Sequence, residues 1–312
     1  MKAILRRIAL TTAALAACLA ATAPAREALP APVAAPQLSA PAPVSAPVRP
    51  AMWKVADADT TIYLFGTIHA LPKGIDWFDG PVAAAFANSQ ELVTEIVEPD
   101  AAQMQKVVLA TSLLPAGKVL RDMLGPKQRA DFEAALMANG LPAAALDRMK
   151  PWYAAVLLSA LPILHGGFDP ANGVDQALGE RGKSLGRSHL ALETAEYQLG
   201  LFDSLPQDVQ LRYLNEVVET LPQARDILAS MVEAWKRGDA ATLARLMNEE
   251  EDDPVLEERL LTNRNKAWAE WIGKRLDRPG TVFLAVGAGH LAGGGSVQDQ
   301  LASKGIAASR VQ

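Results

Sequence analysis

The chain has 312 residues, half of them hydrophobic, and its 35 acidic against 30 basic side chains leave a net charge of −5. That composition suits a globular chain with a sizeable core and argues against a nucleic-acid partner, which needs a basic surface. The single cysteine, Cys18, lies in the N-terminal leader, so neither a disulfide nor a cysteine-ligated metal is open to the remainder of the chain.

Lys2, Arg6 and Arg7 precede a small-residue apolar run at 8–17 that is too short to span a bilayer, the pattern of an export signal over residues 1–25. Two processing sites compete: Leu15-Ala16-Ala17-Cys18 resembles a bacterial lipobox, and Ala23-Pro24-Ala25 suits an ordinary signal peptidase. Either predicts an exported protein, periplasmic or a membrane-anchored lipoprotein of a Gram-negative-type envelope, touching the membrane only through its leader or lipid. Residues 26–50 are almost only Ala, Pro, Val and Ser and read as an extended tether. Residues 51–312 then form the folded domain.

Trp53-Lys54-Val55 and the run 62–65 flank an Asp-Ala-Asp-Thr-Thr turn and predict a hairpin, hence a mixed sheet. A helix is expected from Pro81 to Ser89, with proline at its first position. Residues 92–97 read as a buried strand with Glu95 in its middle. From about Asp100 to Asp277 the pattern is mostly helical, with Pro162 expected to end or kink the helix that starts near Pro151. One short apolar run at 188–193 reads as a strand ending at Glu193. Near the C-terminus Arg264, Trp268, Trp271, Ile272 and Leu276 recur at helical spacing, so the Arg264 guanidinium is expected to be partly buried and to require a carboxylate partner.

Two stretches echo each other, TIYLFGTIH at 61–69 and TVFLAVGAGH at 281–290. In each, an apolar run long enough for a buried strand stops at a glycine, Gly66 or Gly287, and a histidine follows three residues later. Both histidines are expected just past a strand end, where open α/β sheets place their sites, with the glycines allowing a sharp turn. A lone histidine after a strand is commonly structural; the matched pair shifts the reading towards function. His69 and His290 with Glu95 would make three ligands for Zn²⁺, Mn²⁺, Fe²⁺ or Co²⁺, leaving room for a water whose pKa the ion lowers towards ~7. Glu95 reads equally as an ion-pair partner of Arg264, and Glu193 as a supporting group. Arg264 is expected to stabilise an oxyanion or to orient either glutamate. His165 and His189 read as structural. Gly182-Lys183-Ser184-Leu185-Gly186 has nucleophile-elbow spacing, but a helix precedes it and a strand follows, the reverse of what an elbow requires.

FGTIH (65–69), ELVTEI (91–96), GVDQAL (173–178), ALETAEYQL (191–199), AWKRGD (234–239), LLTNRNKAWA (260–269) and VGAGHLAGG (286–294) together resemble the TraB/GumN family of the Tiki-like group, itself similar to erythromycin esterases and ChaN-type haem-binding lipoproteins. The resemblance implies an α/β core with paired Gly-x-x-His motifs. With the elements above, this predicts a mixed, largely parallel central sheet with a large, mostly helical insertion between its N-terminal and C-terminal strands. It also implies a metalloprotease-like site carried on His69, His290, Glu95 and Arg264. Where members often have Glu-Arg-Asn, this chain has Asn263-Arg264-Asn265, which leaves Glu95 or a metal-bound water as the base. Three readings follow: a metal-dependent hydrolase of a peptide or small molecule, a haem- or iron-binding lipoprotein, and an accessory protein of envelope polysaccharide export.

Overall fold

The structure, a computed structural model, describes residues 47–247 and 253–312. The export signal, the lipobox at Cys18 and nearly all of the tether lie outside the described residues.

Strands β1 (Met52–Ala56) and β2 (Thr60–Thr67) form the expected hairpin. Its turn is held by the Asp57 carboxylate, which accepts from the backbone N–H groups of Asp59 and Thr60 at 3.1 and 2.8 Å. There follow α1 (Gly80–Asn88), β3 (Glu91–Thr94), α2 (Ala101–Ser112), α3 (Pro126–Ala138), α4 (Pro151–His165), α5 (Val174–Ser184), β4 (Ser188–Ala191), α6 (Ala195–Asp203), α7 (Gln207–Thr220), α8 (Ala224–Lys236), α9 (Ala240–Met247) and α10 (Pro254–Glu257). A π-turn at Glu258–Thr262 leads into α11 (Asn263–Leu276), then β5 (Gly280–Gly287), α12 (Val297–Ala302) and β6 (Ser309–Arg310). The strands order as β4-β3-β5-β2-β1-β6. β4, β3, β5 and β2 run parallel, and β1 is antiparallel to both of its neighbours. This is the mixed, largely parallel sheet of the α/β class, with the helical insertion between β3 and β5 broken, among the described residues, only by β4.

Alternation along the parallel strands explains why both faces are covered. Ile62, Leu64, Val282 and Leu284 pack on one face with Trp268 and Ile272 of α11. Phe65 and Phe283 face the other way, into a cluster with Trp77, Phe86 and Trp235. A separate core around Phe132, Trp152, Phe202 and Tyr213 holds the helical insertion together. Among the described residues no helix is long and apolar enough to cross a membrane.

β2 and β5 pair in register from Thr60 opposite Gly280 to Thr67 opposite Gly287, so the two echoing stretches lie side by side and His69 and His290 leave the sheet at the same end. Several sequence expectations change. β3 stops at Thr94, which puts Glu95 beyond the strand end and not in its middle. Pairing nonetheless continues, with Leu192 N–H donating to Thr94 O at 2.9 Å and Glu193 N–H to Glu95 O at 2.8 Å, so the two glutamates stand abreast. α4 runs through Pro162 and ends three residues later, at His165. Neither Gly66 nor Gly287 has a positive φ. Gly66 is required for another reason: a Cβ there would stand 3.1 Å from Cα of Ala288, so the end of β2 and the loop after β5 can close on each other only without a side chain.

Gly66→Val is therefore expected to separate the two loops and destabilise the domain by about 1–3 kcal/mol, the range for overpacking a well-filled core. Chemical denaturation checks this; a stability equal to wild type would mean that the close approach is not fixed.

Candidate functional site

Four parallel strands deliver polar residues to one end of the sheet, beyond their carboxyl ends. The centre of this cluster is Arg264, only 1% exposed and carried by the first turn of α11 directly after the π-turn. Such turns shift the phase of a helix and recur at functional sites. Every N–H of the guanidinium is spent. Nε donates to Glu193 at 2.9 Å, Nη2 donates to Glu95 Oε2 at 2.6 Å and Glu193 Oε2 at 2.9 Å, and Nη1 donates to Leu260 O and to His290 Nε2, both at 3.1 Å. Burial works against the charge, but Glu95 and then Glu193 outweigh it and raise the Arg264 pKa further above its ordinary range.

The carboxylates are held just as fully. Glu95 Oε1 accepts from the Gly287 N–H at 2.7 Å, and Gln198 donates to Glu95 at 3.0 Å and to Glu193 at 2.9 Å. The Trp268 indole donates to Glu193 Oε1 at 2.9 Å, and its ring carries the guanidinium 4.7 Å above its centre. His290, fully buried, completes this network as a neutral imidazole. Nδ1–H donates to Asn265 Oδ1 at 2.6 Å, an oxygen oriented by the Asn265 amide donating to Gly295 O, which leaves the Nε2 lone pair to accept from Arg264. Burial, then Arg264 and His69, hold the His290 pKa well below its ordinary value.

His69 differs from its echo. Its Nδ1 meets Asp175 Oδ2 at 2.6 Å, while the buried Nε2 has no hydrogen-bond partner among the described residues. Burial pulls its pKa down, but the charge and hydrogen bond of Asp175 and the charge of Glu95 outweigh that pull and raise it above 6.5. Burial likewise opposes the Asp175 charge, and His69 overcomes it, lowering that carboxyl's pKa. Asp175 is 20% exposed on its side chain. Glu98, at the surface, is pushed up by desolvation and by Asp175, so the side of the cluster towards solvent is the one holding Asp175 and Glu98.

His69, Glu95, His290, Arg264 and Glu193 thus all reach one cluster. As arranged, they do not fit a three-ligand ion. The only lone pair of His290 accepts from Arg264, both oxygens of Glu95 already accept hydrogen bonds, and a guanidinium stands beside them; His69 Nε2 is the one ring nitrogen of the pair with no hydrogen-bond partner among the described residues. Arg264 has no N–H left for an oxyanion and serves to hold the two glutamates. His189 bonds Thr94 Oγ1 at 2.8 Å, a structural contact; the side chain of His165 lies outside what the structure describes. Sequence reasoning missed Asp175, Asn265 and Gln198. All three lie inside the motifs quoted above, but nothing in their spacing marks them as partners of residues up to 106 positions away.

These features define an α/β protein with a buried, fully hydrogen-bonded polar site at its strand ends. A model of the TraB/PrgY/gumN family matches residues 51–310, and the chain belongs to that family. It is 25% identical over 192 residues to the uncharacterised protein YbaP of Escherichia coli (strain K12), covering 60% of this chain and 70% of that protein, and to the same extent to YbaP of Shigella flexneri. No solved structure matches the chain.

Arg264→Ala leaves two buried carboxylates facing each other and is expected to cost about 3–5 kcal/mol. Arg264→Lys should recover little, since an ammonium cannot replace a planar fork. Urea denaturation checks both, and a loss no larger than that of surface variants would contradict the network.

His290 also sets a pH dependence. Held neutral while an unfolded-chain imidazole protonates below about pH 6.5, it makes the fold lose stability on acidification. His69 has the opposite sign: its contribution is complete below pH 6.5 and is lost as pH rises through its raised folded value. Between pH 6.5 and about 5, stability should fall less steeply in His290→Gln than in wild type. Equal slopes would show that His290 is not held neutral.

Proposed function

We propose that the protein is a hydrolase of peptide or amide bonds, facing the cell envelope, whose attacking water is prepared at His69 Nε2. One observation carries this reading: a buried imidazole nitrogen without a partner among the described residues, placed at the carboxyl end of a parallel sheet. A fully buried structural histidine commonly has both nitrogens satisfied, as His290 does. The family resemblance and the leader-like N-terminus support the bond class and the location.

Amide hydrolysis needs a group that takes a proton from water as its oxygen bonds to the carbonyl carbon. The same group returns the proton to the nitrogen as the C–N bond breaks, giving an acid and an amine. A lone pair at His69 Nε2 does both. Glu95, Glu193, Arg264 and His290 would form the rigid floor beneath it, fully hydrogen-bonded and carrying one net negative charge that favours a proton on the imidazole. Because the base form is required and its pKa is raised, the acid limb of the rate profile should lie above pH 6.5.

A second reading is a divalent ion held at the same nitrogen. It is favoured by the carboxylate behind His69, the arrangement that supports metal-bound imidazoles. Such an ion would supply an acidified water. On the first reading, turnover of a peptide or amide library should survive chelation and fall by about 10²-fold or more in His69→Gln with the fold intact. Loss on chelation with recovery on adding Mn²⁺, Zn²⁺ or Co²⁺ would favour the second reading. A Soret band without turnover would instead point to haem binding, and neither metal, haem nor turnover to an accessory role in the envelope.

A further inference from the structure

The loop that carries His69 is clasped by a segment that follows it by about a hundred residues. Leu71 and Asp169 exchange backbone hydrogen bonds of 3.3 and 3.1 Å, and Val174 N–H donates to Ile68 O at 2.9 Å. These bonds lay the first turn of α5 across the loop immediately beside the imidazole. The approach is closer than any side chain would allow. A Cβ on Gly173 would stand 2.4 Å from His69 O and 2.8 Å from Pro170 O, although the glycine has an ordinary φ of −58°. Gly173 is therefore required by contact with the His69 backbone and not by its own conformation. Two positions further on, in the same turn, Asp175 reaches His69 Nδ1 at 2.6 Å.

We propose that Asp175 is a positioning residue: brought in by the Gly173 clasp, it keeps the proton of the neutral imidazole on Nδ1 and so turns the Nε2 lone pair of His69 into the site. A carboxylate in this position only accepts, so the ring nitrogen facing it must be the one that donates. The titratable and charged groups that act on the imidazole are the acids Asp175, Glu95 and Glu98 together with Arg264 and His290. Of these, Asp175 alone is within hydrogen-bond distance of the ring. The assignment rests on the reading of His69 Nε2 as the reactive atom, and it deepens that reading by naming what fixes the atom.

The test is ¹⁵N NMR of the imidazole nitrogens in the full folded domain at a pH where His69 is neutral, with signals assigned by single histidine replacements. Wild type should show His69 protonated at Nδ1 with a bare Nε2. Asp175→Asn, whose amide can donate to Nδ1, should move the proton to Nε2 or give a mixture of tautomers. Gly173→Ala should produce the same change with Asp175 intact, because the clasp is forced open. The signals of His189 and His290 should stay in place and report that each variant is folded. An unchanged His69 tautomer in folded Asp175→Asn would overturn the proposal, as would a wild-type His69 protonated at Nε2. None of these readouts depends on turnover. A tautomer shift in a protein that hydrolyses nothing would leave the positioning role standing and remove the hydrolase reading alone.

Discussion

A buried guanidinium between two carboxylates is the constraint from which the site follows. Taking Arg264, Glu95 and Glu193 out of water is costly, and the cost is recovered only because every N–H finds an acceptor and the remaining oxygens find Gly287, Gln198 and Trp268. The members of this network come from just beyond the ends of β3 and β4, from α6 and α11, and from the end of β5. The sheet order and the packing of α11 against it are thereby tied to one charge. A network satisfied this completely has little freedom to rearrange, which suits a floor better than a moving part.

The same completeness divides the two histidines. Sequence makes His69 and His290 near copies, each three residues after a glycine at the end of a buried strand, and the sheet does place the two stretches side by side. Their surroundings then assign them different work. His290 stands between Asn265 and Arg264 and is kept neutral with no atom to spare. His69 has a carboxylate on Nδ1 and, among the described residues, no hydrogen-bond partner on its buried Nε2. An approximate repeat has become one imidazole bonded at both nitrogens and one bonded, among the described residues, at Nδ1 alone.

What could be read from the chain follows the reach of each signal. Hydrophobic runs gave the hairpin, the strands and the helical middle, because burial on both faces imposes a pattern visible within a few residues. The burial of Arg264 was legible for the same reason, since its position one turn before Trp268 places it on an apolar stripe. The partners were not legible. Nothing local links Asp175 to His69 or Asn265 to His290, and the role of Gly173 depends on a contact with a carbonyl over a hundred residues away. The apolar neighbours of Glu95 make residues 92–97 read as one strand. The strand ends at Thr94, three residues before that run does, and Glu95, just beyond it and still paired through its backbone to Glu193, turns its carboxylate to Arg264. The two-residue strand β6 was too short to leave a pattern.

The central claim is that His290 belongs to Arg264 while His69 presents the vacant lone pair. The most direct test is a crystal structure of the folded domain grown with an excess of Mn²⁺ or Zn²⁺. The account predicts that Arg264 keeps its contacts to Glu95, Glu193 and His290, and that any ion or water found at the site touches His69 Nε2. An ion bound jointly by His69, Glu95 and His290, with the guanidinium displaced, would contradict it.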